Sequence, residues 1–263
     1  MFVYYLFFVF IFGAIIGSFL NVVILRLRNK KTFLKGRSYC PKCKKKIVWY
    51  DNLPVLSFII LKGRCRYCKK KISLQYPIIE LITGLLFAIA FLVNLNHSIL
   101  ETDSNFQFLI LLFRDWLFIS ILIIIFVYDF RWYLILDKIT FPAMGAALVI
   151  NILLGFSLVN ILIGAIIGGS FFLIQFLLSQ GKWVGGGDIR MGVLMGIMLG
   201  WKMLLAALFL AYIIGFIISI ILLLFKKKKI KSQIPLGTFL SVATVIILLY
   251  GKEIWEWYFN IIF

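Results

Sequence analysis

The chain contains a single histidine, His97, and only ten aspartate and glutamate side chains among 263 residues. With one imidazole it holds no HExxH zinc-protease motif, and His97 sits in a segment that reads as an external loop. Charge of any kind is scarce: 14% of residues are charged and 63% are hydrophobic, proportions that exclude an ordinary soluble domain. Lipid has to absorb such a surface.

The apolar residues gather in stretches of about 18 or more, the length that crosses roughly 30 Å of hydrocarbon. The first, Val3 to Leu25, has no basic segment before it and a dense basic segment after it, so it reads as a retained helix and not as a cleaved secretory signal. Eight candidate spans follow: Val3 to Leu25, Pro77 to Leu95, Leu109 or Trp116 to Tyr128, Ile139 to Phe156, Leu158 to Leu178, Met191 to Leu199, Met203 to Phe225 and Pro235 to Tyr250. The expected fold is an all-α polytopic membrane protein of about eight transmembrane helices. Met191 to Leu199 is too short to cross alone, so that helix must be broken, re-entrant or sheltered beside a cavity.

The formal net charge of +18 suggests nucleic acid until its distribution is read. Sixteen of the 28 lysines and arginines lie between Arg26 and Lys71, and five more between Lys226 and Lys231. Both runs abut apolar spans, where positive charge marks cytoplasmic loops and anionic headgroups account for the excess. Membrane lipids, and no nucleic acid, are the expected partners. Six spans between the two runs keep both on one side and put both termini outside. Glu101 and Asp103 then fall outside, while Arg131, Lys138, Lys182 and Arg190 fall inside; Arg114, Lys202 and Lys252 run against the bias. Trp255, Trp257 and Tyr258 form an interfacial anchor. The organisation is a first transmembrane helix over 1–25, a cytoplasmic four-cysteine insert over 26–76, and a multi-helix membrane domain over 77–263.

Cys40-Pro41-Lys42-Cys43 and Cys65-Arg66-Tyr67-Cys68 are two CxxC knuckles about twenty residues apart. Such pairs supply a closed four-thiolate zinc shell; iron uses a similar spacing, and two disulfides are the alternative. A reducing cytoplasm disfavours disulfides. Either metal is structural, because four thiolates leave no open position.

Gly185-Gly186-Gly187-Asp188 opens the short span, with glycines that let the backbone unwind and approach a substrate chain. Asp129 ends the span from Trp116 to Tyr128, about 20 Å from the outer boundary at 1.5 Å per residue. Two carboxylates at matched depth in a membrane are costly and suggest a shared site. Close carboxylates share one proton and so supply an acid and a base, with a water between them to attack an amide carbonyl. Ser179 and Lys182 form only a weak SxxK spacing. Arg114 and Asp115 point about 100° apart on a helix and are not expected to pair. Asp137 reads as a loop residue or as the N-cap of the helix from Ile139. Buried aspartates with a broken helix also occur in transporters and proton relays, the rival reading.

Taken together these residues resemble the type IV prepilin leader peptidase/N-methyltransferase family of GxGD intramembrane aspartic peptidases. The resemblance runs through Gly17-Ser18-Phe19-Leu20-Asn21-Val22-Val23, the two CxxC knuckles, Trp49 to Ser57, Gly63 to Cys68 and Ile72 to Glu80. It implies Asp129 and Asp188 as the catalytic pair, with Gly185, Gly186 and Gly187 as the active-site loop. It also implies prepilin or pseudopilin substrates whose basic leader is removed at the cytoplasmic face of a bacterial inner membrane. Ile234-Pro235-Leu236-Gly237 resembles a Pro-Phe-Gly element of the family with Leu for Phe, and Leu136 stands where Pro is common. Presenilin and signal peptide peptidase share the dyad but lack the CxxC insert. From the resemblance alone comes N-methylation of the new N-terminus by S-adenosylmethionine, since no GxGxxG loop follows a strand here. Gly17, Ser18 and Asn21 are the candidates to line that site, with close helix packing as their alternative role.

Overall fold

The computed structural model describes residues 2–30, 32, 36, 38–101, 105–225 and 234–262. The basic run Lys226 to Lys231 and Asp103 lie outside them, as do the side chains of His97, Glu101 and Tyr258. Among the described residues every regular element is helical: α1 (Phe2–Arg28), a 3-10 turn (Trp49–Asn52), α2 (Leu56–Ile60), α3 (Gln75–Glu101), α4 (Asn105–Trp132), α5 (Asp137–Leu153), α6 (Leu158–Ser179), α7 (Gly186–Leu224) and α8 (Leu236–Ile262). Six of these are long and apolar enough to cross a membrane; α5, with 17 residues, is not among them. The chain divides into two compact units, Met1–His97 and Ser98–Phe263.

In the first unit, glycines bring α1 and α3 together. A Cβ on Gly13 would lie 2.9 Å from the Cα of Gly84, and one on Gly17 would lie 2.8 Å from the Cα of Glu80. Small residues at such a crossing let backbones meet where lipid offers no hydrophobic drive for association. The connecting segment has little apolar core, for neither the 3-10 turn nor α2 contains a buried residue. Its order lies in two copies of one turn, displaced by 25 residues. Cys40 N–H donates to Lys45 O and Cys65 N–H to Lys70 O, while Lys44 and Lys69 both take positive φ, 58° and 55°. The bridges Tyr39↔Lys46 and Arg64↔Lys71 close the two turns in the same way.

The second unit is a helical core in which Phe118, Leu122, Phe172, Met191, Met195, Leu204 and Leu240 are fully or almost fully buried. Its tightest contact is between α6 and α7: a Cβ on Gly168 would meet Gly192 O at 2.1 Å, and one on Gly196 would meet Gly164 O at 2.2 Å. Numbers rise along α6 as they fall along this part of α7, so the two run antiparallel. Beyond Gly200 the order reverses. Gly164 also faces Trp201, Gly168 faces Leu204, and Phe171 and Gln175 both reach Tyr212. Hence α7, which would measure about 58 Å if straight, folds back on itself at Gly200, whose φ of +73° only glycine adopts without strain. Its limbs, 186–199 and 201–224, correspond to the two spans expected from Met191 and Met203.

Two asparagines close that turn. Asn151 Nδ2 donates to Ile197 O at 2.8 Å and Met198 O at 3.2 Å, and Trp201 N–H donates to Asn160 Oδ1 at 3.3 Å. These are helix-end groups that lipid would leave unsatisfied.

Three expectations need correction. First, α4 starts at Asn105, ahead of both expected starts, Leu109 and Trp116, so Arg114 and Asp115 lie within the helix, buried, and they do pair, with Arg114 Nε donating to Asp115 Oδ1 at 2.9 Å. The 100° separation governs where side chains leave the backbone; a long guanidinium folds back across it. Secondly, Asp137 is the first residue of α5, with Leu136 at the N-cap, and its carboxylate pairs with Arg190. Thirdly, the glycines before Asp188 are not unwound. Gly185 is an extended N-cap, and Gly186 and Gly187 already belong to the first turn of α7.

Candidate active site and metal centre

Asp129 lies near the end of α4, only 6% exposed, and its Oδ2 accepts the N–H of Thr238 at 2.9 Å. That N–H is available because it belongs to the first turn of α8, where donors have no partner within the helix. The turn approaches closely because residue 237 is glycine: a Cβ there would lie 2.9 Å from Asp129 Oδ2 and 3.1 Å from the Cδ1 of Ile135. Asp188 occupies the third position of α7 and reaches back to accept the Gly185 N–H at 2.8 Å through Oδ2. A carboxylate in the first turn also faces the positive end of the helix dipole.

Ile135 connects the two carboxylate platforms. Its Cβ lies 3.0 Å from where a Cβ on Gly187 would stand, and its Cδ1 packs on Gly237. Thus Gly187 serves close approach, not unwinding. Asp188 is near enough for its charge to act on Asp129 and on Tyr212, whose hydroxyl donates to Gln175 Oε1 at 3.1 Å. The arrangement holds two partly or fully buried carboxylates, each fixed by a backbone N–H. Ser179 does not join it, since its hydroxyl accepts Trp183 N–H at 3.3 Å at the end of α6.

In the first unit the four cysteine sulfurs all lie within 4.8 Å of one another, and Cys40 and Cys68 Sγ are 4.0 Å apart. Four thiolates around one tetrahedral zinc at about 2.3 Å stand about 3.8 Å apart, so this donor set fits a zinc-sized ion. All four are free of disulfides. The backbone N–H of Cys68, helped by that of Tyr67, holds the Cys65 thiol down at about 7 against the effect of burial. Against the Lys45 N–H, burial and the neighbouring sulfurs push the Cys43 thiol up to about 11, so metal binding would have to release its proton.

Gly17, Ser18 and Asn21 lie together on α1 and carry structural duties. Gly17 admits the backbone of α3, Ser18 hydrogen-bonds Glu80, and Asn21 donates to Gly17 O at 3.3 Å and Tyr76 O at 3.2 Å while accepting Gln75 Nε2 at 3.2 Å. Two features escape sequence reasoning. Gly237 and Thr238 stand 108 and 109 residues from Asp129, and nothing local in Pro-Leu-Gly announces a carboxylate partner. Glu80 accepts the N–H of Val55 at 2.8 Å, holding a β-branched residue at φ +62°, a conformation costing about 1–3 kcal/mol unless its surroundings enforce it.

Residues 11–94 match the family described as Bacterial Peptidase A24 N-terminal domain, and residues 116–220 match the Type IV leader peptidase family. A Prepilin leader peptidase/N-methyltransferase of Aeromonas salmonicida (strain A449) is 30% identical, covering 97% of this chain and 94% of its own length. The protein of that name in Bacillus subtilis (strain 168) is 32% identical over 95% of this chain and 96% of its own, and one from Myxococcus xanthus is 49% identical over 30% and 24%. No solved structure matches significantly.

Proposed function

Because the chain belongs to the prepilin leader peptidase/N-methyltransferase family, we propose that Asp129 and Asp188 are the acid and base by which it removes the leader of prepilin-like precursors. The enzyme is an aspartic endopeptidase with methyltransferase activity, multi-pass in a bacterial inner membrane. The observation that carries the assignment is the pair of backbone-held carboxylates joined through Ile135. One aspartate, ionised, takes a proton from a water between them while the other, protonated, donates to the scissile carbonyl oxygen. The resulting diol collapses when the amide nitrogen is protonated by the first aspartate, releasing the new N-terminus. Each Oδ2 is anchored by an N–H, which fixes the orientation of both carboxyl groups toward water and substrate.

The insert carries one structural zinc on Cys40, Cys43, Cys65 and Cys68 and lies in the cytoplasm, where its basic surface meets lipid headgroups. S-adenosylmethionine, when bound, supplies the methyl group for the new amine. Gly17, Ser18 and Asn21 of α1 are the candidates to line its site, beside Tyr76 and Glu80 of α3, which they contact. Purified Asp188→Asn protein, incubated with a prepilin-like substrate and the methyl donor, should yield no cleaved product by mass spectrometry, a loss of at least about 10²–10⁴-fold, with its zinc and helicity intact. Wild-type product should gain about 14 Da, the mass of one methyl replacing hydrogen. Normal cleavage by Asp188→Asn sinks the dyad.

A further inference from the structure

Between α1 and α3 the chain carries 14 lysines and arginines against one acidic residue, Asp51. Within this segment α2 presents Leu56, Ile59 and Ile60 to the outside, and Trp49 and Leu53 are exposed in and beside the preceding turn; Trp49 is 80% exposed and Ile60 70%. Positions 56, 59 and 60 follow the i, i+3, i+4 spacing of one helical face. A metal-stapled segment with so little core of its own would not be expected to spend its large apolar residues on water.

The height of this face follows from one hydrogen bond. Val55, the N-cap of α2, gives its N–H to Glu80, and Glu80 lies five residues into a candidate span that begins at Gln75. Five residues at 1.5 Å set that bond about 7.5 Å inside the end of the span. That is the headgroup and acyl boundary, where interfacial helices lie with their apolar face buried about 5–10 Å. Ile60 of the same face also borders a cleft of about 530 Å³ whose other walls are Leu61, Lys62, Arg64, Arg66 and Lys69. Arg66 is engaged with Asp51 at 2.6 Å, which leaves Lys62, Arg64 and Lys69 to offer charge.

We propose that the segment from Trp49 to Lys69 is an interfacial anchor: Leu56, Ile59 and Ile60 enter the cytoplasmic leaflet, and the basic cleft holds the phosphate of an anionic phospholipid. This rests on the reading of α3 as a membrane span. Apolar side chains beside a basic cleft at headgroup depth match the layered chemistry of a lipid, apolar below and anionic above. A basic leader peptide would be repelled by the cleft.

The test uses the full-length, zinc-loaded protein in nanodiscs containing phosphatidylglycerol. A nitroxide is attached through Ile59→Cys, with unsubstituted protein as the control for labelling of the knuckle thiols, and its collisions with oxygen and with a water-soluble nickel chelate are compared. Oxygen should dominate at position 59, as it must at Leu85→Cys, an exposed site on α3. If position 59 favours nickel while position 85 favours oxygen, the anchor is refuted and the span stands. If both favour nickel, the span reading fails as well. Shielding of position 59 from both agents means a protein partner or a second copy covers it, and also overturns the proposal. For the cleft, native mass spectrometry should show phosphatidylglycerol retention falling about fivefold for each of Lys62→Gln, Arg64→Gln and Lys69→Gln. Unchanged retention in the triple variant would remove the phosphate site.

Discussion

The two compact units solve opposite problems of construction. Residues 98–263 have helical surface in plenty and must bring it together, which they do by removing side chains: Gly164, Gly168, Gly192 and Gly196 put α6 and α7 in backbone contact. The segment between α1 and α3 in the first unit has almost no core to bring together, and its order depends on backbone turns converging on four sulfurs. Where lipid surrounds a helix, small residues and satisfied polar groups decide the packing; a short segment with little apolar core is the kind that a structural metal can hold together.

Removing the metal is the most severe way to break that contrast. Cys40→Ser should lower zinc content from one per chain towards zero, lose on the order of 10 kcal/mol of local stability, and make residues 38–72 sensitive to protease. Limited proteolysis with mass mapping should find α4 to α8 still protected. Cleavage appearing equally in both units would mean that their stabilities are not separate.

Gly237→Ala tests the dyad side without removing a carboxylate. The new Cβ would stand 2.9 Å from Asp129 Oδ2 and displace it, and a misplacement of about 1 Å can cost roughly 10²-fold in rate. Turnover should fall by that order with zinc content and helicity unchanged. A fully active alanine variant would show that the Gly237 approach does not position Asp129.

Glycine packing is probed by a matched pair. Gly168→Ala drives a methyl to 2.1 Å from Gly192 O, whereas Gly145→Ala meets nothing within 4 Å. Overpacking of this kind costs about 1–3 kcal/mol or more, so the first variant should lower the unfolding midpoint in detergent and the second leave it in place. The smallest effect belongs to Asp51→Asn. It breaks the bidentate pair with Arg66, at 2.7 and 2.6 Å, but the arginine is exposed and solvent screens it. No measurable change in the unfolding midpoint is expected, and a clear drop would make that pair part of the insert's framework.

Local chemistry was legible without coordinates wherever a residue's role depends on its own neighbours in sequence. Hydropathy over windows of span length marked the membrane helices, and the CxxC spacing marked the four cysteines whose sulfurs come together. A carboxylate at the end of an apolar run drew attention to Asp129, and the glycine-rich Gly185 to Gly187 drew it to Asp188. The short Met191 to Leu199 stretch even signalled a broken helix, and Gly200 is where the break falls. Helix starts were less legible, because Phe106 to Phe113 is apolar enough to be either lipid-facing helix or the approach to one, and α4 takes it in.

What only the tertiary structure decided is pairing across distance. Arg190 with Asp137, Thr238 with Asp129, Glu80 with Val55, and Asn151 with the carbonyls at 197 and 198 join residues 25 to 109 apart. Sequence determines the pattern of apolar and charged side chains because transfer between water and lipid is a property of each residue. It does not by itself say which helix end meets which carboxylate, because that depends on how closely two backbones approach. Here the approach was set by single missing methyl groups at Gly187 and Gly237, both packed against Ile135.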